Sequence, residues 1–347
     1  VHTDKTHAFH AGETVRKQIA FVWDGPGRKT LTARWRARLG GEERETVAQG
    51  EVPVVLEPGE IRLAPLAFVA PEVTTRTDGR LELTVHGTEQ EPVADVFPFQ
   101  IFPETGSPVA GRRAVVLNPK GASSAWLRRR GVEVVPWAAG REFSAGDLLI
   151  VGRGGLSGLR HLPYDADDVA AGLRVLILEQ RPEDWARLGF RTIETMPRTV
   201  FGQATGDPAL RGLRPEDLSY WRGSPDLLPE RQPARSYDFQ HAPKWTNTHA
   251  VASVALEIPR AVGFTPVLAC EFDLNYSPLL RWRHGNGSVT FCSLDLTDRV
   301  GADPCATVLA ANLLEPPETT QPRAVRYRGS KDGRELLHLL GCGVSET

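Results

Sequence analysis

The sequence predicts a multidomain chain, with an all-β antiparallel sandwich followed by an α/β module built on a parallel sheet. Length is the first indication, because 347 residues exceed the roughly 250 that one hydrophobic core organises. Hydrophobic period is the second. Apolar and polar residues alternate from Phe9 to about Phe102, whereas later runs are continuously apolar and separated by helical patterns. Punctuation is the third, since 33 glycines and 27 prolines favour short elements over long helices.

The alternating runs are 18–23, 30–39, 52–56 and 81–85. Turn signals at Asp24-Gly-Pro-Gly27, Gly40-Gly41, Glu57-Pro-Gly59 and Asp78-Gly79 separate them at the spacing of an immunoglobulin-like β-sandwich. Pro98 and Pro103 flank a closing strand at 99–102, and 104–108 reads as a short linker, which puts the sandwich at 1–105. The next run, 113–118, is a buried strand. A short helix over 123–130 follows, opened by Ser123 as its cap and stopped by Gly131, and 132–135 completes a βαβ unit. Runs 147–151, 173–178 and 288–294 are nearly all apolar, as a parallel sheet covered on both faces requires, and a helix is expected over about 304–314. The α/β domain thus covers 106–316, with an irregular insertion at 196–250. Residues 323–344 repeat the strand, helix, glycine and valine order of 112–135, so 317–347 reads as the start of a further α/β unit or a docked tail.

Composition bounds the function. Hydrophobic residues make up 41% and charged residues 24%, an ordinary globular balance that argues against disorder. Net charge is −2, without the basic excess that phosphate neutralisation needs, so nucleic acid is not expected as a partner. No apolar run approaches the roughly 18 residues of a membrane span, so a soluble chain without a membrane partner is expected. The chain starts at Val1 with no charged-then-apolar leader after it, and the compartment is not readable. Arginines outnumber lysines 35 to 6, but they are spread along the whole chain, which fits a composition bias better than a binding role. Cys270, Cys292, Cys305 and Cys342 match no metal spacing and no disulfide framework, so free, mostly buried thiols are expected.

Candidate chemistry is sparse. Gly152-Arg-Gly-Gly-Leu-Ser-Gly158 follows a strand and offers backbone N–H groups to an anion, but it fails the dinucleotide fingerprint and reads better as a loop that needs tight turns. Asp295 and Asp298 straddle the end of a strand where open α/β sheets bind ligands, a place that also suits capping and turn roles. In the insertion, Tyr220, Trp221, Arg222 and Trp245 are the best carbohydrate-binding candidates, because an aromatic ring gives a sugar apolar contact beside a polar handle. The same rings can instead pin a long loop to the sheet. No motif of a metal centre, nucleophile elbow or nucleotide loop occurs, and no cofactor is expected.

Several strings resemble one family. They are Asp4-Lys-Thr-His-Ala-Phe-His-Ala-Gly-Glu-Thr-Val-Arg-Lys-Gln18, Leu178-Glu-Gln180, Leu188-Gly-Phe190, Gly212-Leu-Arg-Pro-Glu-Asp-Leu218 with Tyr220-Trp-Arg-Gly223, Phe272-Asp-Leu-Asn-Tyr-Ser-Pro-Leu-Leu280, and Gly287-Ser-Val-Thr-Phe-Cys-Ser-Leu-Asp-Leu296 with Asp303-Pro304. Together they are similar to the region after the catalytic barrel in large bacterial glycoside hydrolases of family 2, the β-galactosidase-like group. The resemblance implies a flavodoxin-like, class I glutamine amidotransferase-like domain after the sandwich. It also implies a non-catalytic accessory role, bracing domains or supporting a homo-oligomer, with the upstream barrel of the same polypeptide as partner. No catalytic residue carries over, because retaining glycosidases mount two carboxylates about 5 Å apart on an eight-stranded βα barrel that this chain lacks. An amidotransferase would need a cysteine at the end of run 173–178, where Glu179-Gln180 stand, and no His-x-Glu occurs. Two alternatives stay open: a carbohydrate-binding region using the insertion aromatics, and a free-standing α/β hydrolase or amidotransferase-like enzyme.

Overall fold

The computed structural model describes residues 4–41, 45–87, 91–104, 109–118, 121–228, 248–261 and 263–315 of the chain. It divides into two compact units, Val1–Gly106 and Ser107–Thr347. The protein is mostly β, with several sheets.

The first unit holds strands β1 (Ala8–His10), β2 (Thr14–Trp23), β3 (Lys29–Leu39), β4 (Glu45–Leu56), β5 (Glu60–Val69), β6 (Thr77–Gly87) and β7 (Val93–Phe102). They form a five-stranded sheet, β1-β7-β6-β3-β4, and a two-stranded sheet, β2-β5. Alternation decides which face is buried. Val15, Ile19 and Phe21 of β2 and Ala33, Trp35, Ala37 and Leu39 of β3 point into one shared core. There the Phe68 ring lies 5.8 Å from Phe99 and 6.4 Å from Trp35. Each such side chain contributes about 1.5–3 kcal/mol on burial.

Three expectations for this unit are corrected. Asp78-Gly79 is not a turn: both lie inside β6, with Gly79 opposite Leu39 and Phe99. A Cβ on Gly79 would come within 2.5 Å of the Phe99 ring, so this glycine makes room for packing. Strand β5 has no counterpart among the expected runs because Ile61, Leu63 and Val69 face outward and blur its period. Pro98 does not open the closing strand either; it lies within β7, opposite Arg80.

In the second unit β8 (Arg113–Leu117), β9 (Glu133–Pro136), β10 (Leu148–Val151), β11 (Arg174–Ile177), β12 (Thr192–Glu194), β13 (Phe201–Gly202), β14 (Val254–Glu257), β15 (Phe264–Cys270), β16 (Tyr276–His284) and β17 (Gly287–Cys292) share one mixed sheet. Strands β9-β8-β10-β11-β17 run parallel in that order. From β17 the sheet continues antiparallel through β16, β14 and β12, with β15 and β13 branching from β16. Helices α1 (Ala122–Arg129), α2 (Ala166–Ala171), α3 (Pro182–Arg187) and α4 (Pro304–Leu314) are few and mostly short among the described residues. A wholly parallel sheet is therefore not what forms. Besides the short β12 and β13, the antiparallel strands fall in 254–284, where Pro266 and Pro278 argue locally against strand. Rings of Trp185, Phe190, Phe264, Trp282 and Phe291 cluster on one face, with Phe190 and Phe291 4.8 Å apart.

Helix α4 starts as expected, Asp303 accepting from the Ala306 N–H and Pro304 taking the first helical position. Its last carbonyls are held by the Arg112 and Arg174 guanidiniums, which donate to Leu314 O at 3.3 and 3.2 Å. Ser123 does not cap α1; Gly121 occupies that position, and Ser123 Oγ instead accepts from the Arg153 N–H at 2.9 Å. The expected repeat at 317–347, Cys342 and Trp245 lie outside the described residues. No described helix is long and apolar enough to cross a membrane.

Candidate functional site

The carboxyl ends of β8, β10, β11 and β17 deliver Asn118, Gly152-Arg153, Glu179-Gln180 and Asp295–Arg299 to one edge of the parallel strands. Open sheets with helical crossovers bind ligands at this edge, because the strand ends diverge there and leave a crevice. The turn after β10 must be tight. A Cβ on Gly152 would meet Asn118 and Ser123 at 3.0 Å, and one on Gly155 would meet the Gly152 carbonyl at 2.8 Å. The N–H groups of this loop are already used: Arg153 donates to Ser123 Oγ, Gly154 to Glu179 O, Gly155 to Gly152 O, Leu156 to Gln180 Oε1 and Ser157 to Gly154 O. With these five donors committed, residues 153–157 form a turn and not an anion cradle.

Gln180 is likewise structural. Its amide donates to Gly152 O and Leu178 O at 2.9 and 2.7 Å, which ties β11 to the β10 loop. Glu179 is fully buried and accepts from the Thr297 N–H at 2.6 Å and the Thr297 hydroxyl at 2.9 Å. Burial, followed by the nearby Asp295 charge, pushes the Glu179 carboxyl up to about 7. Asp295 is also raised by burial, with Arg299 and Arg153 opposing. Asp295 Oδ2 accepts from Arg299 Nη1 at 2.7 Å, and Arg299 Nε donates to Arg222 O at 2.7 Å.

Arg153 reaches outward from the same edge. Its two terminal nitrogens donate to Asp298 and to Asp226, the latter contributed by the insertion. Burial lowers the Arg153 pKa, but Glu179, Asp298, Asp226 and Asp295 outweigh it and keep the guanidinium charged. Asp298 is pushed up to about 6 by burial and by a hydrogen bond with Asp226, and that bond lowers Asp226. Asp226, Asp295 and Asp298 each bring one carboxylate oxygen within 4.8 Å of the others, an arrangement that can hold a cation.

The carbohydrate candidates fare differently. Trp221 is 1% exposed and its indole N–H donates to Asp217 O at 2.8 Å, so it pins the insertion to the unit and offers no ring face to a sugar. Arg222 is half-buried, and its backbone N–H donates to Asp303 Oδ2 at 2.9 Å while its carbonyl accepts from Arg299. Tyr220 is half-buried with φ 52, a left-handed turn residue. Arg222 joins the insertion to the start of α4 and to the acidic edge, while Tyr220 and Trp221 bond to Arg198 O and Asp217 O within the insertion, so the three do not line up as a stacking platform. Of that edge, sequence reasoning singled out Asp295 and Asp298 by their place after a strand. Arg153, Asp226 and Arg299 escape it, because only the fold brings Asp226 beside residues more than sixty positions later.

No protein-family model matches the chain, and no curated protein matches it. Among solved structures, the sporulation control protein Spo0M of Bacillus subtilis aligns at 13% identity and TM-score 0.23, over 28% of this chain and 46% of its own. A cycloisomaltooligosaccharide glucanotransferase of Paenibacillus sp. aligns at 8% identity and TM-score 0.25, over 57% of this chain and 29% of its own. A GH5 xyloglucanase of Bacteroides ovatus aligns at 11% identity and TM-score 0.17, over 50% of this chain and 44% of its own. The chain thus spans less than half of each of these three, and likenesses this slight carry no argument about fold or activity.

Proposed function

We propose that this chain is a non-catalytic accessory region of a multidomain glycoside hydrolase of the family 2, β-galactosidase-like group, bracing domains or supporting a homo-oligomer, with the catalytic barrel of the same polypeptide as its partner. In this reading the first unit is an immunoglobulin-like sandwich. The second is a flavodoxin-like, amidotransferase-like domain without its catalytic apparatus. Two sheets around one core support the first assignment. The parallel order β9-β8-β10-β11-β17 supports the second, since it is the 2-1-3-4-5 order of doubly wound sheets.

One observation carries the reading. At the end of β11, where an amidotransferase-like sheet would mount its cysteine nucleophile, Glu179 and Gln180 are both 0% exposed and committed to internal hydrogen bonds. A nucleophile must reach its substrate, and neither side chain does. Cys292 cannot substitute, because it is buried inside β17 and burial raises its thiol pKa, the Glu179 charge adding to it.

The test is to incubate the chain with nitrophenyl galactosides, glucosides and glucuronides, and with glutamine. No turnover is expected. Turnover abolished by Glu179→Gln, Cys292→Ser or Asp295→Asn would overturn the reading, and so would a reading frame upstream of Val1 that encodes no barrel.

A further inference from the structure

The acidic edge has a property that ordinary surface clusters of carboxylates lack. Asp295 is 1% exposed, and its Oδ1 accepts no hydrogen bond. An orphaned, buried carboxylate oxygen is costly unless something positive reaches it. Asp295 brings a carboxylate oxygen within 4.8 Å of those of Asp226 and Asp298, both of which open to solvent, so an ion has a way in. Four carboxylates, Glu179, Asp226, Asp295 and Asp298, surround two guanidiniums, Arg153 and Arg299, which leaves the group two positive charges short when all are ionised.

The geometry points to a divalent-cation site formed by Asp226, Asp295 and Asp298. The ion is a hard one, of the Ca²⁺, Mg²⁺ and Mn²⁺ class, because the three ligands are carboxylate oxygens and the group includes no thiolate or imidazole. Arg153 engages one oxygen of Asp226 and one of Asp298, so it holds the two carboxylates while their other oxygens turn to the ion. Waters complete the coordination shell. Because Asp226 belongs to the insertion while Asp295 and Asp298 follow β17, the ion fastens the insertion to the carboxyl edge of the sheet.

The experiment titrates Mn²⁺ into the whole chain in chelator-treated buffer at neutral pH, reads free Mn²⁺ by electron paramagnetic resonance, and then adds Ca²⁺ or Mg²⁺ in competition. One saturable site is expected, with a dissociation constant on the order of 10⁻⁴ M, a value usual for partly open oxygen sites. Asp226→Asn and Asp298→Asn should each weaken it at least tenfold. Asp226 is 70% exposed, so its substitution leaves the fold intact, and circular dichroism checks this. A folded chain that binds no Mn²⁺ up to about 10 mM overturns the proposal. So does a site that both variants bind as tightly as the parent, since the ion would then sit elsewhere.

Discussion

Glu179 and Thr297 are joined twice, the carboxylate of one accepting both the backbone N–H and the hydroxyl of the other at 2.6 and 2.9 Å. The pair ties the end of β11 to the segment after β17, beneath a cluster of like charges.

Stability should therefore fall as pH rises. The Glu179 pKa goes from 4.5 in the unfolded chain to about 7 in the fold, so between those values only the folded state keeps the proton. Each unit of rise then favours unfolding, and the decline flattens above about pH 7; its whole span is about 3 kcal/mol. Glu179→Gln preserves the geometry, because its oxygen accepts from Thr297 N–H while its amide donates to a turned Thr297 hydroxyl. Urea midpoints at pH 5, 6, 7 and 8 should drop for the parent and much less for the variant. Parallel curves would refute the assignment.

Breaking the Arg299–Asp295 pair should be costly. The two side chains are 2% and 1% exposed, and Arg299→Met leaves a carboxylate buried with neither oxygen satisfied. The expected loss is about 3–5 kcal/mol by urea denaturation. Adding Asp295→Asn should recover part of it, since the uncompensated charge is then gone.

Gly287→Ala should destabilise by about 2 kcal/mol or more, because β17 opens against the turn after α2. A Cβ there would stand 2.2 Å from Val169 O and 2.3 Å from Leu173 O, both backbone atoms that cannot swing aside. Gly206→Ala is the control: nothing lies within 4 Å of its Cβ position, and its melting temperature should match the parent's.

Thiol reactivity should follow burial. Cys270, Cys292 and Cys305 are buried, with Cys270 pushed up to about 12 by burial and by Glu271 and Asp273. In a Cys342→Ser background, Ellman's reagent at pH 8 should leave the native chain unlabelled and modify all three thiols in guanidinium. Rapid labelling of the native chain would contradict the packing of β15, β17 and α4.

How much was legible in the sequence differs between elements for physical reasons. Strands β3, β10 and β11 and helix α4 declare themselves, because each buries a strong pattern and α4 carries its own cap in Asp303. Strand β5 does not, because its apolar residues are split between core and solvent, and β15 and β16 are masked by their prolines. The site is split in the same way. Asp295 and Asp298 announce themselves by following a strand, while Asp226 is brought to them by the path of the insertion, which no local pattern encodes. Trp221 carried the wrong signal, since an indole beside glycine and arginine reads the same in a loop anchor as in a sugar platform, and only its burial separates the two.

The position of β17 at the junction of the sheet also sets a timetable. It meets β16 across the two residues Gly285 and Asn286, a closure that takes microseconds. Its other neighbour, β11, pairs Arg174 with Ser288, 114 positions away. On a ribosome adding about 5–20 residues per second, β11 is finished roughly 6–23 s before its partner exists. Through that interval Val175, Leu176 and Ile177 wait on an open strand edge, the stretch of this chain most exposed to mispairing and to capture by chaperones while it is being made.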